Sequence, residues 1–156
     1  MMLVVAFLLV AGAAAFGGRF RPDEWYEALD KPAWNPPNWV FAPVWMLLYA
    51  AMAVAAWFVW RSGSGSLQIL GLSFWLAQLI ANAAWSWVFF GRHRPGWALV
   101  DIVVMFVLIL ATVIVFFQLS QVAGWLMVPY LAWAGFAGCL NAALWARNGR
   151  SGAAAS

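Results

Sequence analysis

The stretch Gly96–Gln118, GWALVDIVVMFVLILATVIVFFQ, decides what kind of protein this is. It is almost unbroken hydrocarbon with one charge, Asp101, and it is long enough to cross a bilayer core, which takes about 20 apolar residues as a helix. Continuous apolarity argues against a membrane barrel, whose lipid-facing strands alternate between apolar and polar residues. Working outward, four more stretches read the same way: Met1–Phe20, Trp39–Trp60, Leu67–Phe90 and Ala123–Ala146. The five predict an all-α integral membrane protein, one five-transmembrane-helix bundle over residues 1–150, with 151–156 as a disordered tail.

Composition agrees. The chain is 67% hydrophobic and 8% charged, with a mean hydropathy of +0.86. A soluble domain would carry about a quarter charged residues. Val10–Ala13 resembles a signal cleavage site, but no Lys or Arg precedes Leu3–Val10, so the first segment is expected to stay as a helix. The net charge of +3 is spread over loops and forms no nucleic-acid patch. Cys139 is alone, which excludes a disulfide framework and points to a small packing residue. Arg19, Arg21, Lys31, Arg92, Arg94, Arg147 and Arg150 fall on one side of the expected spans and only Arg61 on the other. The positive-inside rule then places the N-terminus outside and the C-terminus inside. Helical spans favour a bacterial cytoplasmic or an organellar membrane, with a bacterial outer membrane left open.

The longest connection, residues 21–38, contains Pro22, Pro32, Pro36 and Pro37 beside Trp25, Tyr26 and Trp34. Asp23–Leu29 is expected as a short surface helix, and the later prolines impose an extended path. Such a stiff aromatic loop is either an interfacial anchor or a lid over a cavity. Ser62–Ser66 reads as a flexible connector. His93, between two arginines, reads as a solvated loop residue.

Polar side chains inside the spans carry the remaining information, because each needs a partner in hydrocarbon. Gln78, Asn82, Trp85 and Phe89 share one helical face. They serve either as interhelical glue or as the wall of a ligand cavity. Trp133, Ala137, Leu140 and Leu144 line one face of the last span, with Ala134, Gly138 and Asn141 adjoining. Asp101 is expected to pair with Arg92 or Arg94, helped by the helix N-terminus.

Several motifs, in order along nearly the whole chain, resemble the tryptophan-rich sensory protein/translocator protein family, also called the peripheral benzodiazepine receptor family. They are Lys31–Trp39 running into Pro43–Tyr49, Ala77-Gln78-Leu79 with Asn82, Trp85 through Gly91, Trp97–Asp101, and Pro129–Trp133 with Leu140-Asn141. The resemblance implies a five-helix bundle, commonly a homodimer, with a ligand cavity closed by the first loop. It implies binding of tetrapyrroles such as protoporphyrin IX or haem, or of other flat aromatic ligands, with no cofactor or metal. Carried over motif by motif, Trp45, Asn82, Trp85, Trp97, Val100, Trp133, Ala137 and Leu140 would line the cavity, and Gly18 and Phe41 would sit at its mouth. Indoles suit a macrocycle's face, and Arg19, Arg21 or Lys31 suit its propionates. The family's sterol motif is not matched. Asn141 is followed by Ala142, and Ala146 stands where animal members have arginine, so sterol binding is not expected.

Three functions follow as expectations: a membrane sensor or translocator for tetrapyrroles, a light-dependent protoporphyrin IX-degrading enzyme, or a structural membrane module. The chain shows no nucleophile–base pair and no dinucleotide fingerprint, so conventional catalysis has no visible machinery. Trp45 and Trp133 would be the oxidisable residues of a photochemical reaction. Of the thirteen tryptophans, Trp45, Trp85, Trp97 and Trp133 are expected to converge on one cavity.

Overall fold

Helix boundaries fall where the chain meets glycine, proline or a capping side chain. The computed structural model describes residues 1–149; Arg150 and the tail 151–156 lie outside the described residues. Helix α1 covers Met2–Gly17, α2 is the short Glu24–Glu27, and α3 covers Asn38–Arg61. Helix α4, Ser66–Ser86, passes into a π-helical turn at Trp87–Gly91, followed by α5, Pro95–Leu119, and α6, Gln121–Asn148. No strand occurs among the described residues. Pro95 opens α5 at its first turn, where its missing N–H costs nothing, and the Ser120 hydroxyl accepts from the Ala123 N–H at 3.3 Å to cap α6.

Four helices are long and apolar enough to cross a membrane: Asn38–Arg61, Ser66–Gly91, Pro95–Leu119 and Gln121–Asn148. The first apolar helix is shorter than Met1–Phe20. It has 16 residues, and its last turn is closed by the Gly18 N–H donating to the Ala14 carbonyl at 2.8 Å and the Arg19 N–H donating to the Phe16 carbonyl at 3.2 Å. At 1.5 Å per residue it reaches about 24 Å, against a hydrocarbon core of about 30 Å.

The long helices close into a ring, α1–α3–α6–α5–α4 and back to α1. Helix α5 shows how the sequence selects its inner face. Ala98, Ile102, Met105, Ile109, Thr112 and Phe116 are buried at helical spacing, while Val100, Val103, Val104, Val107 and Ile114 on the other side are exposed. The two sides do not differ in polarity, because hydrocarbon solvates valine as well as the core does; shape and small residues choose the face. Gly71 lets α5 approach α4, since a Cβ there would stand 2.9 Å from Val115 Cγ1 and 3.3 Å from Phe116 Cε1. Between α1 and α4 an apolar groove of about 440 Å³ opens outward, lined by Leu9, Phe16, Ile80 and Trp87 among others.

Two expectations need correction. Asp101 pairs with neither Arg92 nor Arg94: it is half-buried, and its Oδ2 is buried without a hydrogen-bond partner. The Arg92 guanidinium lies instead over the Trp87 ring, 5.5 Å from its centroid. The Gln68 amide donates to the Val59 and Trp60 carbonyls at 2.9 Å, tying α4 to α3 beside the exposed 62–66 connector. Cys139 is exposed on α6 and does not serve as a packing residue.

Gly71→Val is expected to destabilise the bundle by about 1–3 kcal/mol through overpacking. Gly12→Val, where nothing lies within 4 Å, is expected to be neutral. Thermal unfolding of the two variants in one detergent checks the contrast.

Candidate functional site

The ring is tied together near its centre by one chain of hydrogen bonds. The Tyr49 hydroxyl of α3 donates to Asn82 Oδ1 of α4 at 2.7 Å, and Asn82 Nδ2 donates to the Tyr130 hydroxyl of α6 at 3.3 Å. That hydroxyl donates to Met105 Sδ of α5 at 3.6 Å. Asn82 and Tyr130 are buried, so these polar groups satisfy one another rather than meeting solvent. Gln78, one turn before Asn82, donates to Met52 Sδ at 3.6 Å, and its Oε1 is left without a partner. Both partnerless atoms, Gln78 Oε1 and Asp101 Oδ2, thus lie one helical turn from members of this chain, Asn82 and Met105.

A second polar tie lies nearer the first loop. The Trp85 indole donates to Asn141 Oδ1 at 3.0 Å, and Asn141 Nδ2 donates to the Pro95 carbonyl at 2.8 Å. Trp85 also stacks on Phe89, with ring centroids 5.1 Å apart and planes at 22°. Phe89 belongs to the π-helical turn, a wider coil of the kind often found at functional sites.

Aromatic rings pack between α3 and α6. Trp45 lies tilted against Tyr49 at 5.3 Å and edge-on to Tyr130 at 6.1 Å. Phe41 meets the Trp133 ring edge-on at 5.8 Å, and Trp133 lies 5.4 Å from Phe136. Trp45, Trp133 and Ala137 remain half-buried, so their faces are not consumed by packing.

The first loop covers this end of the bundle. Trp34 meets Phe136 edge-on at 5.8 Å, and Tyr26 is buried against Phe89 and Phe90. Burial raises the Tyr26 phenol's pKa above its ordinary value of 10.0. Glu27 ties the loop together: Oε2 accepts from Lys31 Nζ and Oε1 from Asn38 Nδ2, each at 2.8 Å. Those two donors hold its carboxyl below the ordinary 4.5. The Asp30 carboxylate takes Arg147 at 3.2 Å, and the Asp30 N–H donates to Asn148 Oδ1 at 2.9 Å. The loop, called the lid below, covers the α4–α5 turn and the end of α6, with Trp39 left 74% exposed at its edge.

Asn82 and Leu140 are buried, and Phe41, Trp45, Trp85, Trp133 and Ala137 are half-buried and packed against the core. Gly18 sits exposed at the loop-side end of α1, its carbonyl accepting from Arg21 Nε at 3.1 Å. Trp97 and Val100 do not join the others. They are 65% and 55% exposed, on the side of α5 turned away from Ala98, Ile102 and Met105. Trp45 and Trp133 thus lie between α3 and α6, Trp85 is tied to Asn141 nearer the first loop, and Trp97 faces outward. Sequence reasoning passed over Tyr49, Tyr130 and Met105. The available signal was helical spacing: Tyr49 follows Trp45 by four residues, and Tyr130 precedes Trp133 by three. His93 is exposed in the α4–α5 turn, as expected, and also bonds Asp23 and stacks on Trp25.

Asn141→Leu is expected to cost about 1–3 kcal/mol, because it leaves the Trp85 N–H without an acceptor. Trp75→Phe removes an indole bond to the Met52 carbonyl at 3.1 Å, a group already within a helix, and is expected to cost less. Chemical denaturation of both variants in mixed micelles reads the difference.

Residues 4–146 match the TspO/MBR family. The chain is 47% identical over 141 residues to a tryptophan-rich sensory protein of Cereibacter sphaeroides, covering 89% of this chain and 87% of that one. It is 39% identical over 150 residues to the human translocator protein, covering 92% and 89%. It is 37% identical over 150 residues to protein CrtK of Rhodobacter capsulatus, covering 94% and 92%. With an all-helical membrane fold and a match over nearly its full length, this chain is a member of the TspO/MBR family.

Proposed function

We propose that this protein is a membrane sensor or translocator that binds a tetrapyrrole, protoporphyrin IX or haem, beneath its first loop. The observation that carries the reading is the half-buried pair Trp45 and Trp133, set around the Tyr49–Asn82–Tyr130 chain and roofed by Trp34. Indole faces offer stacking to a flat macrocycle, and the two partnerless acceptors nearby would welcome donors. Asn82 acts here mainly by positioning the phenols, because both ends of its amide are engaged by tyrosines. Among the basic residues expected to meet propionates, Lys31 is already held by Glu27 at 2.8 Å. Arg19 and Arg21 at the end of α1 suit that task better.

In this reading α1 completes a five-span bundle despite its length, by local thinning of the bilayer. Six described basic residues, Arg19, Arg21, Lys31, Arg92, Arg94 and Arg147, lie in the segments at the lid end, and Arg61 lies at the other. The lid then faces the cytoplasm. A fluorescent-protein fusion at the C-terminus should fold and fluoresce, whereas a periplasmic reporter there should stay silent; the reverse pattern overturns the orientation.

Protoporphyrin IX titrated in the dark into detergent-solubilised protein should quench tryptophan fluorescence saturably at micromolar concentration. Trp45→Phe and Trp133→Phe should each weaken binding roughly two- to tenfold, the size of a lost stacking contact. No saturable quenching sinks the proposal. Illumination separates the second reading: porphyrin absorbance lost in light by the parent protein, but not by these two variants, would mark photochemical degradation.

A further inference from the structure

The lid is fastened to the bundle through its carboxylates, and one fastening uses the chain's single histidine. His93 Nε2 lies 2.8 Å from Asp23 Oδ2, and the imidazole stacks on Trp25 at 4.5 Å with planes at 21°. Its backbone sits at φ +53°, in the left-handed region that disfavours side chains other than glycine, asparagine, aspartate and histidine. The α4–α5 turn thus holds a costly backbone geometry while its imidazole meets the lid. Asp23 uses its other oxygen, Oδ1, to accept the Tyr26 N–H at 3.1 Å as the cap of α2. One carboxylate therefore joins the lid helix to the turn. From there a ring-to-ring path runs inward: Trp25 meets Phe89 edge-on at 5.7 Å, and Phe89 stacks on Trp85, which bonds Asn141.

We propose that Asp23, His93 and Trp25 form a proton-sensitive latch that holds the first loop closed when the imidazole is charged and loosens when it is neutral. The inference rests on the preceding reading only for its consequence, that lid opening governs ligand exchange.

The surrounding charges set the balance. Asp23 faces the imidazole from the lid, with Glu24 next to it in sequence. Arg92 and Arg94 flank it on its own turn. Arg19 and Arg21 stand nearby at the end of α1, because Phe20 between them packs against Gly91. On α5 the first acid is Asp101. The other lid carboxylates are committed elsewhere, Glu27 to Lys31 and Asp30 to Arg147. Imidazole is the side chain that ordinarily changes charge between about pH 5 and 8. A charged imidazole makes an ion-assisted bond to Asp23 and a cation–π contact with Trp25; a neutral one keeps only a weaker hydrogen bond and the stack.

Asp23 sets the acid limit. The Tyr26 N–H, with His93, holds its pKa below the ordinary 3.8. A lowered carboxyl pKa gives stability present above that ordinary value and lost as pH falls through the lowered one. On the acid side the latch therefore weakens as pH falls through that lowered value.

Hydrogen exchange of the 21–38 amides, corrected for intrinsic rates, reads lid opening in the full-length protein without any ligand. Opening should increase about two- to fivefold between pH 5.5 and 8.5, the range expected for a solvent-accessible ion pair. Asp23→Asn keeps the helix cap but removes the charge, and should open readily at both pH values. His93→Asn tolerates the φ of +53° but carries no charge at any pH, and should open readily at both. Opening that does not change with pH in the parent protein overturns the latch, as does a pH response that survives Asp23→Asn. Protoporphyrin IX release, followed separately, tests the consequence. A lid that responds to pH while porphyrin release does not would leave the latch standing and remove the lid from ligand control.

Discussion

Satisfying polar groups where no water reaches them is the constraint on which this structure depends. In hydrocarbon a donor or acceptor without a partner costs several kcal/mol by order of magnitude, so buried amides and phenols must find one another. The chain from Tyr49 through Asn82 and Tyr130 to Met105 does this across four helices of the ring. Apolar contact alone would let the helices slide or rotate, because lipid competes for the same surfaces. Directional bonds fix their rotation, and so fix which aromatic faces point inward.

The loop-side end is built by a different device. There the rings of Trp85, Phe89 and Phe90 form a floor on which Trp25 and Tyr26 sit, and Trp34 reaches across to Phe136. Polar bonds hold the edges of this cover while aromatic contacts fill its underside. The lid's fastenings through Asp23, Glu27 and Asp30 reach the α4–α5 turn, the start of α3 and the end of α6. A cover tied at its margins by solvent-accessible charges can open without disturbing the buried network. That separation suits a protein that must keep its helices in place while exchanging a small molecule.

Much of the site was legible from spacing. Gln78, Asn82 and Phe89 recur at helical intervals, and all three are buried as that period requires. Trp45 and Trp133 carried the family resemblance and do face one another's helices. The reading failed where the same residue type fits two environments. Trp97 sits on α5 beside valines that suit lipid as well as core, and no period separates inward from outward on a helix apolar all round. Asp101 failed for a related reason. Nearness in sequence to Arg92 and Arg94 suggested a pair, but Arg92 lies over Trp87 instead.

The sequence by itself determined the material and the ends of the elements. Hydropathy set the long helices, proline and glycine set their limits, and basic residues gathered toward one side. Each follows from local chemistry that needs no distant partner. Helix rotation, the pairing of Asn82 with two tyrosines, the seating of Tyr26 and the bond between Asp23 and His93 were decided only by tertiary structure. These link residues up to 70 positions apart. When both lipid and protein interior are apolar, hydrophobicity cannot choose a helix's inner face. Complementary shape and the few available hydrogen bonds choose it, and both exist only once the helices have met.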